Sequence, residues 1–232
     1  MTPTTTPTTT TPPTTNVTYI GQALQDRFVS LALNGKHNGF FVEIGSNSPT
    51  ISNNTYVLEK YFNWKGIMIE FDSSFLSQYK IHRPNSTHVI EDASKIDYKQ
   101  LLASAGAPKN IDYLQVDLDV DSRSTLSTLE NLNANIMSDY KFATVTFEHD
   151  IYTGNYYNTR EISRKIFQDR GYTRIFSDVS IIFSNRKCNF EDWYVHPDLV
   201  NTEYFSKILT DTENTEGLDH LKCIALLKKY TQ

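Results

Sequence analysis

Five short apolar runs between residues 39 and 150 each end beside an acidic residue, and a helix-forming stretch follows every one of them. The runs are "GFFVEIG", "GIMIEFD", "THVIEDAS", "IDYLQVDLD" and "KFATVTFEHD". Between them stand "SNNTYVLEKYF", opened by a Ser/Asn cap, and "SSFLSQYK", which must end before Pro84. "YKQLLASAG", closed by its glycine, "SRSTLSTLENL" and "TREISRKIFQDRG" complete the series. Strands alternating with helices of this length build an α/β fold, a parallel sheet with helices on both faces. The nearly unbroken apolar character of "FFVEI" and "GIMIE" suits strands covered on both sides. Before the first strand, Ile20, Leu24, Phe28 and Leu31 recur at helical spacing until Asn34-Gly35 stops them. After the fifth, "YTRIFSDVSIIF" and "FEDWYVHP" have no helix between them and predict an antiparallel pair closing the sheet edge. A final amphipathic helix is expected over "LDHLKCIALLKKY".

This rhythm leaves no sign of an internal repeat or a second domain, and 232 residues suit one full-sized core, so a single domain is expected over 16–232. Residues 1–15, "MTPTTTPTTTTPPTT", have no basic start and no apolar segment, and are expected to be a disordered tail. No apolar run is long enough to span a bilayer, so no membrane partner is expected. A net charge of −5 without a Lys/Arg block gives no footprint for nucleic acid. Cys188 and Cys223 make neither a disulfide framework nor a metal set, and as reduced thiols they suit a cytoplasmic protein. The sequons at Asn16, Asn53 and Asn85 are of the number that chance gives in a chain rich in Asn and Thr.

In an open parallel sheet the ligand lies beyond the carboxyl ends of the strands. There the sequence puts Glu43, Glu70, Asp92, Asp117 with Asp119, and Glu148 with Asp150, strand by strand. Glu70 follows Gly45 by about 25 residues, close to the offset at which a carboxylate grips ribose hydroxyls. Asp92 can accept from an exocyclic amine such as that of adenine. Glu43 can accept from an ammonium group, or steady the loop beside it. A phosphate-bearing ligand would not want that acid, and the loop "GSNSP" lacks the glycines that let a pyrophosphate approach. An adenosine with an amino-acid tail satisfies all three acids; for each acid taken singly, a helix cap or a surface loop position is the other reading.

The ordered motifs "FVEIGSN…SNNTYVLEK…WKGIMIEFD", "IDYLQVDLDVDS" and "TFEHD…GY…FEDWYVHP" resemble the FkbM-like branch of the class I S-adenosylmethionine-dependent methyltransferases, over roughly residues 37–200. The resemblance implies a Rossmann-like, seven-stranded, mostly parallel sheet whose last strand is antiparallel. It implies S-adenosyl-L-methionine as cofactor, with Glu43, Gly45, Ser46 and Asn47 around the methionine moiety. Glu70 stands where the ribose is held, Phe71 against the adenine, Asp92 and Ala93 where the base is read, and Asp117 on the strand flanking the sulfonium. The chain departs from the family pattern at Ser48, Pro49 and Thr50, where a further glycine is usual.

Family members mostly methylate hydroxyls of sugars or natural products, which implies a carbohydrate or other hydroxyl-bearing acceptor. Such a hydroxyl needs a base or a Lewis acid. His149 is the candidate base, with a histidine bonded to a backbone carbonyl as the other reading. Asp119, Glu148 and Asp150 are candidate ligands for Mg2+ or Mn2+, with helix capping or direct acceptor contacts as the alternative. Tyr152, Tyr156 and Trp193 are candidate acceptor contacts; all three also suit packing. Two rivals stand beside this reading: an NAD-dependent oxidoreductase, and an inactive methyltransferase-like binding module.

Overall fold

The computed structural model describes residues 17–211 and 214–230, with the side chain of Asp211 left aside. The expected tail over 1–15 and the sequon at Asn16 lie outside them. An opening helix, α1 (Gln25–Ala32), is followed by β1 (Phe40–Ile44), α2 (Tyr56–Phe62), β2 (Lys65–Glu70), α3 (Leu76–His82) and β3 (Thr87–Ile90). Then come α4 (Tyr98–Ser104), β4 (Asn110–Val116), α5 (Ser124–Asn135), β5 (Lys141–Glu148) and α6 (Tyr157–Asp169). The chain ends with β6 (Thr173–Phe183), β7 (Arg186–Val195), α7 (Thr202–Asp211) and α8 (His220–Tyr230).

The seven strands form one sheet in the order β3-β2-β1-β4-β5-β7-β6. The pairings among β1 to β5 are parallel, and β7 is antiparallel to both β5 and β6. This is the mixed sheet of the class I methyltransferase fold. The hairpin turns at Ser184 and Asn185, both left-handed at φ 49° and 61°, the mirror-image turn that matches strand twist. Its return strand enters beside β5, so β6 becomes the sheet's edge.

Strand order reverses between β1 and β4, and β1 is buried at every position. One face packs Val42, Ile44, Ile67, Leu114 and Val145 against α4, α5 and α6; the other packs Phe41, Met68, Tyr113 and Trp193 against α1 and α8. Helix α7 is not foreseen by the sequence pattern, because only Phe205 and Ile208 of its side chains are buried in an otherwise polar stretch. Both cysteines are buried free thiols. Among the described residues no helix is long and apolar enough to cross a membrane.

Candidate active site at the carboxyl ends of the strands

A cleft of about 1090 Å3 lies across the carboxyl ends of β1 to β5, with Ile181 and Phe183 of the hairpin on its rim. Its shape begins at Gly45, which turns the chain out of β1 at φ +84°. The amides of Gly45 and Ser46 both donate to the Ile69 carbonyl, at 2.9 and 3.1 Å. A Cβ on Gly45 would stand 1.7 Å from the Asp117 carbonyl oxygen. The first turn therefore presses directly on the end of β4, and only glycine fits.

Beneath this turn lies a buried polar lock. Asn53 donates from Nδ2 to Glu43 Oε2 and to the Ser46 carbonyl, each at 3.1 Å. Arg83, wholly buried, donates to Glu59 (2.8 Å), Asn53 Oδ1 (2.8 Å), Thr55 Oγ1 (2.6 Å) and the Pro49 carbonyl (3.3 Å). Its guanidinium also stands 3.9 Å from Glu43. Burial raises the Glu43 carboxyl above the ordinary range, and the charge of Arg83 opposes that rise. Side-chain donors thus hold the loop through Ser48 and Pro49, where related loops use another glycine. Asn53, as part of this lock, is buried rather than presented as a sequon.

Glu70 accepts from the amides of Asn47 (2.8 Å), Phe71 (2.8 Å) and Asp72 (3.0 Å), so it ties the first turn to the second. Phe71 beside it is 74% exposed and lines the cleft. Asp92 caps the turn after β3 through Ser94 and pairs with Lys95 at 2.8 Å. The Lys95 ammonium and the Ser94 donors hold its pKa down to about 2. Ala93 is buried on the cleft wall. Glu43, Gly45, Ser46, Asn47, Glu70, Phe71, Asp92, Ala93 and Asp117 all line one cleft.

The other half of the cleft gathers acids. Asp117, Glu148 and Asp150 lie close enough together that each perturbs the ionisation of its neighbours. Burial raises the carboxyls of Asp117 and Asp150, and it pushes Glu148 well above the ordinary range with both neighbours adding to the effect. A positive charge beside groups so placed favours their ionised form. Behind them Glu191, held by Gln25 (3.1 Å) and Trp193 (2.7 Å), is pushed by burial to about 8.

Several expected site residues lie elsewhere. His149 is fully buried and does not line the cleft. Its Nε2 stands 3.3 Å from Asp178 and 3.4 Å from Asp192, and no backbone carbonyl accepts from its ring. Burial disfavours the imidazolium, but those two carboxylates outweigh it and raise the pKa. His149 is thus enclosed beside those two carboxylates rather than presented to the cleft. Trp193 is equally buried, stacked on Phe28 at 4.8 Å, and touches no acceptor space. Tyr152 and Tyr156 sit on the loop after β5 rather than in the cleft, and the Tyr156 hydroxyl donates to Asp121 at 2.9 Å.

The metal expected at Asp119, Glu148 and Asp150 does not fit. β4 ends at Val116, so Asp119 lies in the following loop, exposed, and accepts from the Asp121 amide at 3.1 Å. Among the described residues, one trio alone brings ligand atoms within 4.8 Å of each other: His149, Asp178 and Asp192. Arg164 already donates to Asp192 at 2.7 and 2.8 Å and to Asp178 at 2.8 Å, and Arg160 donates to Asp178 at 2.8 Å, so that trio is charge-compensated without an ion. Sequence reasoning missed Arg83, Asn53, Asn54, Gln22 and Gln115. The Asn-rich loop before α2 was the available signal for Asn53 and Asn54; the other three had none.

No protein-family model and no curated protein matches the sequence. Among solved structures, the chain is similar to a precorrin-6y C5,15-methyltransferase from Geobacter metallireducens, at 12% identity over 73% of this chain and 86% of that one, with a TM-score of 0.49. It is similar to SMU.1697c of Streptococcus mutans in complex with SAH, at 12% identity over 74% and 95%, with a TM-score of 0.49. A TehB-like SAM-dependent methyltransferase from Corynebacterium glutamicum gives 10% identity over 74% and 87%, with a TM-score of 0.45. At these identities the likeness is one of fold alone.

Proposed function

We propose that this chain is an S-adenosylmethionine-dependent O-methyltransferase of FkbM-like type, acting on a hydroxyl-bearing acceptor such as a sugar. One observation carries the reading: the cleft is lined by Glu43, Glu70, Asp92 and Asp117 in strand order, and no lysine, arginine or histidine is among its described lining residues. A dinucleotide would bring a diphosphate into that acidic field with no glycine-rich amide cradle to receive it. An adenosyl group with an amino-acid tail brings hydroxyls, an amine and positive charge instead. The residues present fit it: Glu43 Oε1, a buried acceptor on the cleft wall, has no partner, and Glu70 keeps lone pairs beyond its three backbone donors.

When bound, S-adenosylmethionine supplies an electrophilic methyl, whose bond to sulfur breaks as the acceptor oxygen bonds to carbon, the C–S pair staying on sulfur. In this reading Glu70 orients the ribose and Phe71 covers the base. Glu43, steadied by Arg83 and Asn53, receives the amine. Asp117 or Glu148 takes the proton that the acceptor hydroxyl releases. A carboxyl raised by burial is a stronger base than an ordinary one once a cation beside it has ionised it.

Calorimetric titration tests the cofactor class. S-adenosylhomocysteine is expected to bind and NADH to give no heat. NADH binding without S-adenosylhomocysteine would make the oxidoreductase reading correct, and silence from both would leave a non-enzymatic module.

A further inference from the structure

Six side chains lining the cleft are carboxylates: Glu43, Glu70, Asp92, Asp117, Asp119 and Glu148. Three are answered locally, Glu43 by Arg83, Asp92 by Lys95 and Glu70 by backbone amides. Asp117 and Glu148 are not: among the described residues no lysine or arginine lies against either, and Asp117 takes one long 3.4 Å contact from Gln115 Nε2. Burial raises both carboxyls, so a cation placed beside them would favour their ionised form.

A second observation is independent of charge. Three buried polar atoms on the cleft wall have no hydrogen-bond partner: Glu43 Oε1, Asn54 Oδ1 and Gln115 Oε1. All three are acceptors. Gln115 and Asn54 are only 4% and 3% exposed, and Gln115 stands beside Asp117. A buried acceptor left unmet is costly, so the occupants that complete this wall must bring hydrogen-bond donors: the cofactor's amine meets Glu43, and the acceptor faces Asn54 and Gln115. A divalent ion would need several oxygens closing on one point, which these acids do not do. An ammonium has three donors and tolerates a more open arrangement.

We propose that the acceptor is a hydroxyl-bearing cation, a molecule of the amino sugar class, whose protonated amine sits on Asp117 and Glu148 with Gln115 Oε1 beside it. The inference rests on the methyl-transfer reading of the cleft and names its substrate class. The ammonium drives the acids to their ionised form, which leaves one carboxylate ready to take the hydroxyl proton. The amine itself is unchanged by the reaction. The same field rejects phosphorylated acceptors, so a nucleotide-linked sugar is not the substrate.

The test uses the full chain saturated with S-adenosylhomocysteine and a panel of sugars in matched sets: free amine, N-acetylated amine, neutral hydroxyl and phosphate ester. Calorimetry reads binding, and mass spectrometry with a labelled methyl donor reads transfer. Free amines are expected to bind at least about tenfold more tightly than their N-acetylated counterparts, the effect of losing one charge-assisted hydrogen bond. Glu148→Gln and Asp117→Asn are expected to reduce that preference, with thermal unfolding followed by circular dichroism verifying that both variants are folded. Equal binding of N-acetylated or neutral members, tighter binding of phosphate esters, Mg2+ binding in place of amines, or no binding by any amine overturns the inference. If S-adenosylhomocysteine itself does not bind, the methyl-transfer reading falls with it.

Discussion

Gly45→Ala is expected to lower the melting temperature by about 6–12 °C and to abolish binding of S-adenosylhomocysteine. The new Cβ would lie 1.7 Å from the carbonyl oxygen of Asp117, which is backbone and cannot swing aside. The residue would also be held at φ +84°, where an L side chain costs roughly 1–2 kcal/mol. Relief requires β1 and β4 to part at their carboxyl ends, where Asp117 amide donates to Ile44 carbonyl at 3.0 Å. Clash and strain together amount to about 3 kcal/mol or more, and each kcal/mol is roughly 2–4 °C for a domain of this size. Thermal unfolding followed by circular dichroism, with calorimetry on the surviving fold, checks both parts. A variant that melts and binds like the native chain would mean that the turn does not press on β4.

Arg83→Leu is the second large effect. Arg83 is the buried cation beside Glu43 and Glu59, and it also fixes Asn53, Thr55 and Pro49. Removing one partner of a buried pair costs about 3–5 kcal/mol, because the other charge stays behind. The deficit has a pH signature. Burial already raises the Glu43 carboxyl, and loss of Arg83 removes a charge that lowers it. A carboxyl whose folded pKa lies above its unfolded value favours the folded state increasingly as pH falls through the folded pKa. The stability gap between Arg83→Leu and the native chain should therefore narrow from pH 8 to about pH 5, and adding Glu43→Gln should restore part of the loss at pH 8. Urea titrations at the two pH values measure it; a gap that widens on acidification would place the cost outside the Glu43–Arg83 pair.

Much of this molecule was readable in advance. Alternation of apolar runs with capped helices gave the sheet, and five acids at strand ends gave the floor of the cleft, because element type and side-chain direction follow from periodicity. His149 was legible too, had that alternation been pressed further. With Glu148 directed to the cleft, its neighbour in the strand belongs to the opposite side, where Asp178 and Asp192 wait. Trp193 was not legible that way, since it pairs with Thr146 on the face of Glu148 and is simply buried deeper in the sheet. Arg83 was not legible: its importance depends on Glu43, Glu59 and Pro49, which lie 24 to 40 residues away and meet only in the fold. Nor was Gln115, whose unmet oxygen is a property of the assembled wall. The expected metal failed for a related reason, since residue spacing cannot say that β4 stops at Val116 and leaves Asp119 in a loop.

Crystals grown with S-adenosylhomocysteine offer the most direct measurement. The expected density has the ribose hydroxyls on Glu70, the adenine against Phe71 and Ala93, and the sulfur facing Asp117 and Glu148. Density for that ligand anywhere outside the cleft, or inside it with the ribose turned away from Glu70, would contradict the assignment of this crevice to an adenosyl methyl donor.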